Sequence, residues 1–233
     1  MKRGIFIVLE GPDRSGKSTQ ASMLKKWLEE ERGREVMLTR EPGGTYLSEK
    51  IRKILLDPKS DIEPMTELFL YETSRIKHTL EKIIPALKAG KVVICDRYTL
   101  STTAYQGYGR RLPLKTVETL NHIATLGLKP DLTMVMDIPD KVFAERERLA
   151  QKTAGPDRIE REPASFRRRV NMAYKLLSRQ PGITRVDAGR PVSAIQDDIR
   201  SHVARVLLKP DVLKVSLRSL YALMAKNRRP SAL

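Results

Sequence analysis

The stretch Ile5-Phe6-Ile7-Val8-Leu9-Glu10-Gly11-Pro12-Asp13-Arg14-Ser15-Gly16-Lys17-Ser18-Thr19 sets a short apolar run directly before the spacing G-x-x-x-x-G-K-S, and a helix-forming segment follows. Strand, glycine-bounded loop and helix in that order make a phosphate-binding loop. Gly11 and Gly16 allow the main chain to turn tightly enough for its N–H groups to surround phosphate oxygens, and the helix opening at Lys17 adds its positive end. Lys17 is expected to neutralise charge on the β and γ phosphates. The Ser18 hydroxyl is expected to ligate the magnesium ion that travels with the nucleotide. The chain is thus expected to bind a nucleoside triphosphate through Gly11, Pro12, Asp13, Arg14, Ser15, Gly16, Lys17, Ser18 and Thr19.

A chain of 233 residues is long enough for one α/β domain with a sizeable core, and its 5% aromatic content makes that core aliphatic. The single cysteine, Cys95, excludes an internal disulfide and suits a reducing cytoplasm. Within Val92-Val93-Ile94-Cys95 it reads as a buried strand residue rather than a nucleophile. No apolar run approaches the roughly 18 residues needed to span a bilayer, and Ile5 to Leu9 is too short for a signal peptide. The expected location is the cytoplasm. The formal charge of +16, from 44 Lys and Arg against 28 Asp and Glu, raises nucleic acid as a partner. No basic stretch is interleaved with aromatics, so a solvated basic surface is the preferred reading.

Five apolar runs alternate with helical patterns: Ile5 to Leu9, Val36 to Thr39, Val92 to Cys95, Leu132 to Met136 and Ile183 to Val186. This alternation predicts a P-loop α/β fold, a five-stranded parallel sheet flanked by helices. Helices are predicted over 17–32, 47–56, 65–89, 114–126, 141–151, 164–179 and 192–208, with Pro85 kinking or breaking the third. Ligands of open parallel sheets gather at the carboxyl ends of the strands. Three motifs directly follow predicted strands: Thr39-Arg40-Glu41-Pro42-Gly43-Gly44-Thr45, Asp96-Arg97-Tyr98 and Asp137-Ile138-Pro139. Asp96, a carboxylate at a strand end, suits positioning of the metal or its water. The densely charged segment from Ala144 to Arg169, with Arg146, Arg148, Lys152, Arg158 and Arg161 around Gly155-Pro156, reads as a basic helical lid over about 141–163. Residues 1–208 form the predicted domain. Residues 209–233 form a basic amphipathic extension, with Leu213, Leu217, Leu220, Tyr221 and Met224 on one helical face. Packing of that face on the domain is preferred over contact with RNA or a membrane surface.

Taken together, the P-loop, Thr39 to Gly44, Tyr71 with Arg75, Asp96-Arg97-Tyr98, Ser101-Thr102-Thr103-Ala104-Tyr105-Gln106, Lys129-Pro130-Asp131-Leu132 and Asp157-Arg158-Ile159-Glu160 resemble thymidylate kinase in that order, over residues 3–208. The resemblance implies transfer of phosphate from ATP to dTMP with magnesium, and a homodimer. It implies that Arg97 and Arg40 hold the acceptor phosphate and that Asp13 contacts the deoxyribose 3'-hydroxyl. Arg75 is implied at a thymine carbonyl, Tyr71 on the ring face, and Thr102 with Gln106 near N3. Tyr105 is implied to crowd the sugar 2' position. These roles suit the chemistry, because a guanidinium donates to phosphate or carbonyl oxygens and an aromatic face accepts a base. The second pKa of a monophosphate is about 6, so the attacking oxygen is ionised at neutral pH and catalysis reduces to positioning and charge neutralisation.

One departure from the family pattern matters. Bacterial relatives with Thr-Arg-Glu-Pro-Gly-Gly commonly have glycine where Arg14 stands and carry the transition-state arginine in the lid, whereas eukaryotic-type relatives carry it in the P-loop. This chain has Arg14 and also Arg146, Arg148 and Arg158. Arg14 is the preferred candidate, because a P-loop position is fixed beside the γ phosphate while a lid must first close. Two rival functions remain at this stage: a kinase for another pyrimidine monophosphate such as dUMP, and a P-loop ATPase associated with nucleic acid.

Overall fold

A computed structural model describes residues 4–150 and 155–208 of the chain. Within them the strands β1 (Ile5–Glu10), β2 (Val36–Arg40), β3 (Val92–Asp96), β4 (Leu132–Asp137) and β5 (Ile183–Asp187) form one all-parallel sheet in the order β2-β3-β1-β4-β5. Each strand runs one residue beyond its apolar stretch and ends on a charged side chain: Glu10, Arg40, Asp96, Asp137 or Asp187. Since all strands point the same way, these charges collect along one edge of the sheet.

Alternation along the strands divides the core. Ile7 and Leu9 of β1 join Val92 and Ile94 of β3 in a cluster under α1 (Lys17–Glu30), while Phe6, Val8, Val93 and Cys95 face the other way. Both faces are covered, so the strands read as continuous apolar runs. Cys95 is buried, and burial pushes its thiol pKa well up, away from the reactive thiolate.

Helices α2 (Tyr46–Leu56) and α3 (Pro64–His78) pack together beside the sheet. The predicted helix 65–89 is interrupted. After α3 the chain widens into a π-helical turn, Thr79–Ile83, before α4 (Ile84–Lys88). Pro85 explains this, since it has no N–H to bond back and its ring crowds the preceding turn. Short α5 (Thr99–Thr102) continues into a π-helix over Thr103–Gly109, neither of which the sequence pattern predicts. Helices α6 (Leu114–Ala124), α7 (Asp140–Ala150), α8 (Ala164–Leu177) and α9 (Val192–Leu207) match their predicted segments to within two residues at each end. Residues 151–154, including Lys152 of the predicted lid, and the extension 209–233 lie outside the described residues.

Candidate active site

The chain reverses direction through the sheet at β1, which lies between β3 and β4, and the P-loop leaves its carboxyl end. Gly11 has φ 138°, and a Cβ there would meet the Met136 carbonyl oxygen at 2.8 Å, so β4 presses against the loop where only glycine fits. Lys17 is buried, with Nζ donating to the Pro12 carbonyl at 2.7 Å. Burial and the Arg97 charge lower its pKa to about 8 against the pull of Asp96, Asp13 and Glu10. Ser18 Oγ donates to Asp96 Oδ2 at 2.5 Å, which brings the candidate metal pair together at the mouth of the loop.

Arg97 stands just past β3 with φ 71° and faces Asp13 across the loop, Nη2 to Oδ1 at 2.5 Å. Its Nη1 donates to the Gly11 carbonyl at 3.0 Å and to Tyr174 Oη at 3.1 Å. Tyr105 Oη donates to Asp13 Oδ2 at 2.8 Å. Burial opposes ionisation of Asp13, but the Arg97 and Lys17 charges and the bonds from Tyr105 and Arg97 bring its pKa down to about 2. Asp13 therefore belongs at once to the phosphate loop and to a neighbouring cavity, and Arg97, from the end of β3, bonds to the loop and lines the same cavity.

That cavity is lined by Tyr71, Arg75, Thr102, Tyr105 and Gln106 together with Asp13 and Arg97. Arg40 is not among its walls. It lies at the end of β2, half-exposed and paired with Glu49 at 3.0 Å. Of the charged segment, Arg146 of α7 reaches back to the P-loop, donating to the Arg14 carbonyl at 3.0 Å and the Ala188 carbonyl at 3.1 Å. Arg148 lies on the exposed side of α7. Arg158 turns inward instead, donating to the Leu55 carbonyl at 2.7 Å and to Glu67 at 2.5 Å. Arg14 has φ 61° and pairs with Glu160 at 3.2 Å, so the loop following α7 rests on the P-loop.

Several supporting side chains escaped the reading of the sequence. Glu10 is wholly buried and accepts from the Tyr98 and Ser101 N–H groups at 2.8 and 3.1 Å, from Ser101 Oγ at 2.6 Å and from Tyr174 Oη at 3.2 Å. The available signal was a carboxylate closing an otherwise apolar central strand. Arg75 is held by Glu41, Glu72 and Asn121, each at 2.7 Å, and Glu41 also meets His78 Nδ1 at 3.0 Å. His78 Nε2 faces Thr39 Oγ1 at 2.7 Å, so Thr39, His78 and Glu41 form a chain of hydrogen bonds behind Arg75, while buried Cys95 beside them donates to the Arg97 carbonyl at 3.1 Å.

A parallel α/β sheet with a P-loop at its switch strand, and a second cavity sharing Asp13 and Arg97 with that loop, defines the class of P-loop phosphotransferases. Within that class, the chain belongs to the thymidylate kinase family, whose model matches residues 9–199. It is 48% identical to a thymidylate kinase of Gloeobacter violaceus over 201 residues, covering 85% of this chain and 94% of that one. It is 44% identical to that of Halothermothrix orenii over 207 residues, 89% of this chain and 100% of the relative. A further thymidylate kinase, from Pelobacter propionicus, is 47% identical over 211 residues, 88% of this chain and 94% of the relative.

Proposed function

We propose that this protein phosphorylates dTMP to dTDP with ATP and magnesium, a step toward dTTP. The observation that carries this reading is the shared pair Asp13 and Arg97, which joins a triphosphate loop to a cavity walled by Tyr71, Arg75 and Gln106. An ionised oxygen of the acceptor phosphate attacks the γ phosphorus in line. The bond from that phosphorus to the β–γ bridging oxygen breaks, and ADP leaves with the electron pair.

In this reading Lys17 and the P-loop N–H groups hold the donor phosphates, and Arg97 holds the acceptor phosphate against them. Asp13 takes the 3'-hydroxyl, Tyr71 the ring face and Arg75 a carbonyl. Thr102 and Gln106 meet N3, and Tyr105 crowds the 2' position. Arg14 reaches the phosphoryl group in flight, and Arg146 with Arg148 belongs to the donor side. Arg40 would have to leave Glu49 to join the acceptor phosphate. Ser18 Oγ and Asp96 Oδ2 lie 2.5 Å apart and are hard oxygen donors that fit magnesium, directly or through its waters. The metal when bound would neutralise charge on the donor phosphates.

The lid reading rests on the Arg14–Glu160 pair and on Asp157 and Ile159, which wall the acceptor cavity. A homodimer is supported by exposed apolar side chains on packed helices, Ile54 of α2, Phe69 of α3 and Ile123 of α6. No helix among the described residues is long and apolar enough to cross a membrane. The enzyme is assigned to the cytoplasm on its family and its single buried thiol.

The test is product identification after mixing protein, ATP and magnesium with dTMP, dUMP, dCMP, UMP or AMP in turn. Stoichiometric dTDP and ADP with clear preference for dTMP is expected. Preference for another monophosphate overturns the substrate, and ATP hydrolysis stimulated by nucleic acid without a phosphorylated monophosphate overturns the class.

A further inference from the structure

Two side chains of the acceptor cavity are restricted by their own partners in what they can offer a base. Arg75 carries five N–H donors and no acceptor. Its Nε is taken by Glu41, its Nη1 by Glu72 and Asn121, and one hydrogen of Nη2 by the Tyr98 carbonyl at 3.0 Å. One N–H remains for the cavity that Arg75 lines. Thr102, also buried in this wall, has a hydroxyl with no partner among the described residues. A hydroxyl donates or accepts equally well, so it recognises a polar base edge without choosing between bases.

Gln106 could present either end of its amide, and Glu67 removes the choice. Gln106 Nε2 donates to Glu67 Oε1 at 2.7 Å. Glu67 is wholly buried and also accepts from Arg110 Nε at 3.0 Å, Arg110 Nη2 at 2.8 Å and Arg158 Nη2 at 2.5 Å. Burial opposes its ionisation, yet the hydrogen bonds from Arg110 and Gln106 and the charges of Arg110 and Arg158 hold its carboxyl below the ordinary range. At neutral pH it accepts only. A carbonyl oxygen turned toward it at this distance would be repelled, so the amide is locked with Nε2 on Glu67. Gln106 Oε1 accepts from nothing among the described residues and is the acceptor left to the cavity.

We propose that Glu67 is a positioning residue for base selection, which makes Gln106 an obligate acceptor so that the cavity takes a pyrimidine with N3–H and a 4-keto group. This rests on the acceptor-site reading above. A pyrimidine with a bare N3 and a 4-amino group sets acceptor against Gln106 Oε1 and donor against Arg75. Glu67 acts from outside the cavity and touches no substrate atom.

Glu67→Gln keeps the shape but can donate as well as accept, which frees the Gln106 amide to turn over. The expected result is a rise of about tenfold in KM for dTMP and a fall of at least about tenfold in the kcat/KM ratio of dTMP over dCMP, with KM for ATP within about twofold. Equal losses for both nucleotides with the ratio intact would mean that Glu67 only supports the fold, and would overturn the proposal. Arg158→Met removes a different bond to Glu67 and is expected to lower thermal stability while keeping the ratio. A matching fall in the ratio there overturns the proposal as well. If Glu67→Gln does not fold, a structure of the unaltered protein with dTMP decides. Nε2 on Glu67 with Oε1 on N3 supports the lock, and a reversed amide or an N3 contact elsewhere sinks it. Failure of the unaltered protein to make dTDP is a separate outcome that removes the underlying reading.

Discussion

Arg14 and Arg97 hold left-handed backbones, φ 61° and 71°, which cost a residue with a side chain about 1–2 kcal/mol each. Arg97 offsets that cost with its N–H on the Leu9 carbonyl at 2.9 Å and its guanidinium on Asp13. Such strain at two arginines of one site is the pattern expected where side chains must be aimed. Arg14→Ala is expected to lower kcat well beyond threefold with little change in KM for dTMP. Turnover within about threefold, under 1 kcal/mol in the barrier, would transfer the phosphoryl contact to Arg146. Lys17 yields a pH prediction. With its pKa lowered to about 8 in the free protein, it is charged below that pH and loses its proton as pH rises through it. Triphosphate favours the charged form, so ATP binding above pH 8 must take up a proton. Calorimetry in buffers of different ionisation heat should detect that uptake, and ATP affinity should weaken from pH 8 to 10. An affinity flat over this range would mean that Lys17 keeps its charge without nucleotide.

The element that supplies one wall of the cavity beside the P-loop is the segment Thr99–Gly109, an α-helical turn running into a π-helix. Its Thr-rich opening has modest helix propensity, and the stretch reads as a motif rather than a helix. Its N-terminus is fixed from outside by Glu10, and its flank packs on α8. Both contacts join residues far apart in sequence, so local pattern could not reveal them. Glu10→Ala leaves buried Tyr98 and Ser101 donors without their acceptor. A loss of about 2–4 kcal/mol in urea-unfolding stability is expected, together with a fall in kcat as Ser101 and Tyr174 release Arg97. A stable, fully active variant would show that the segment holds itself. The π turn at Thr79–Ile83 was half legible, since Pro85 announces a break but not its form.

At the scale of the whole molecule, dTMP at 100 times its Kd should stabilise the protein by about 2.7 kcal/mol. That corresponds to a rise of roughly 5–10 °C in Tm, at about 2–4 °C per kcal/mol for a chain of this size. Equal concentrations of dCMP should move Tm by less than about 1 °C, and an equal shift with dCMP would show a cavity that does not choose its base. The P-loop, the five strands and most helices were legible in the sequence because each is written in local periodicity and spacing. Asp13, Tyr71, Arg75, Arg97, Thr102, Tyr105 and Gln106 were gathered through the family resemblance of their motifs, and the structure brings all seven to the walls of one cavity. Which of Arg146 and Arg158 faces the P-loop was not legible. Arg146 turns to the Arg14 carbonyl while Arg158 turns to buried Glu67, and nothing in their local sequence separates them. The sequence by itself determined a parallel P-loop sheet and the residue types that collect at its carboxyl edge. Only the tertiary structure decided how those residues are oriented, because orientation depends on buried carboxylates such as Glu10, Glu41 and Glu67. Each draws its partners from elements tens of residues away, and a carboxylate sealed from water must find such partners or go unsatisfied.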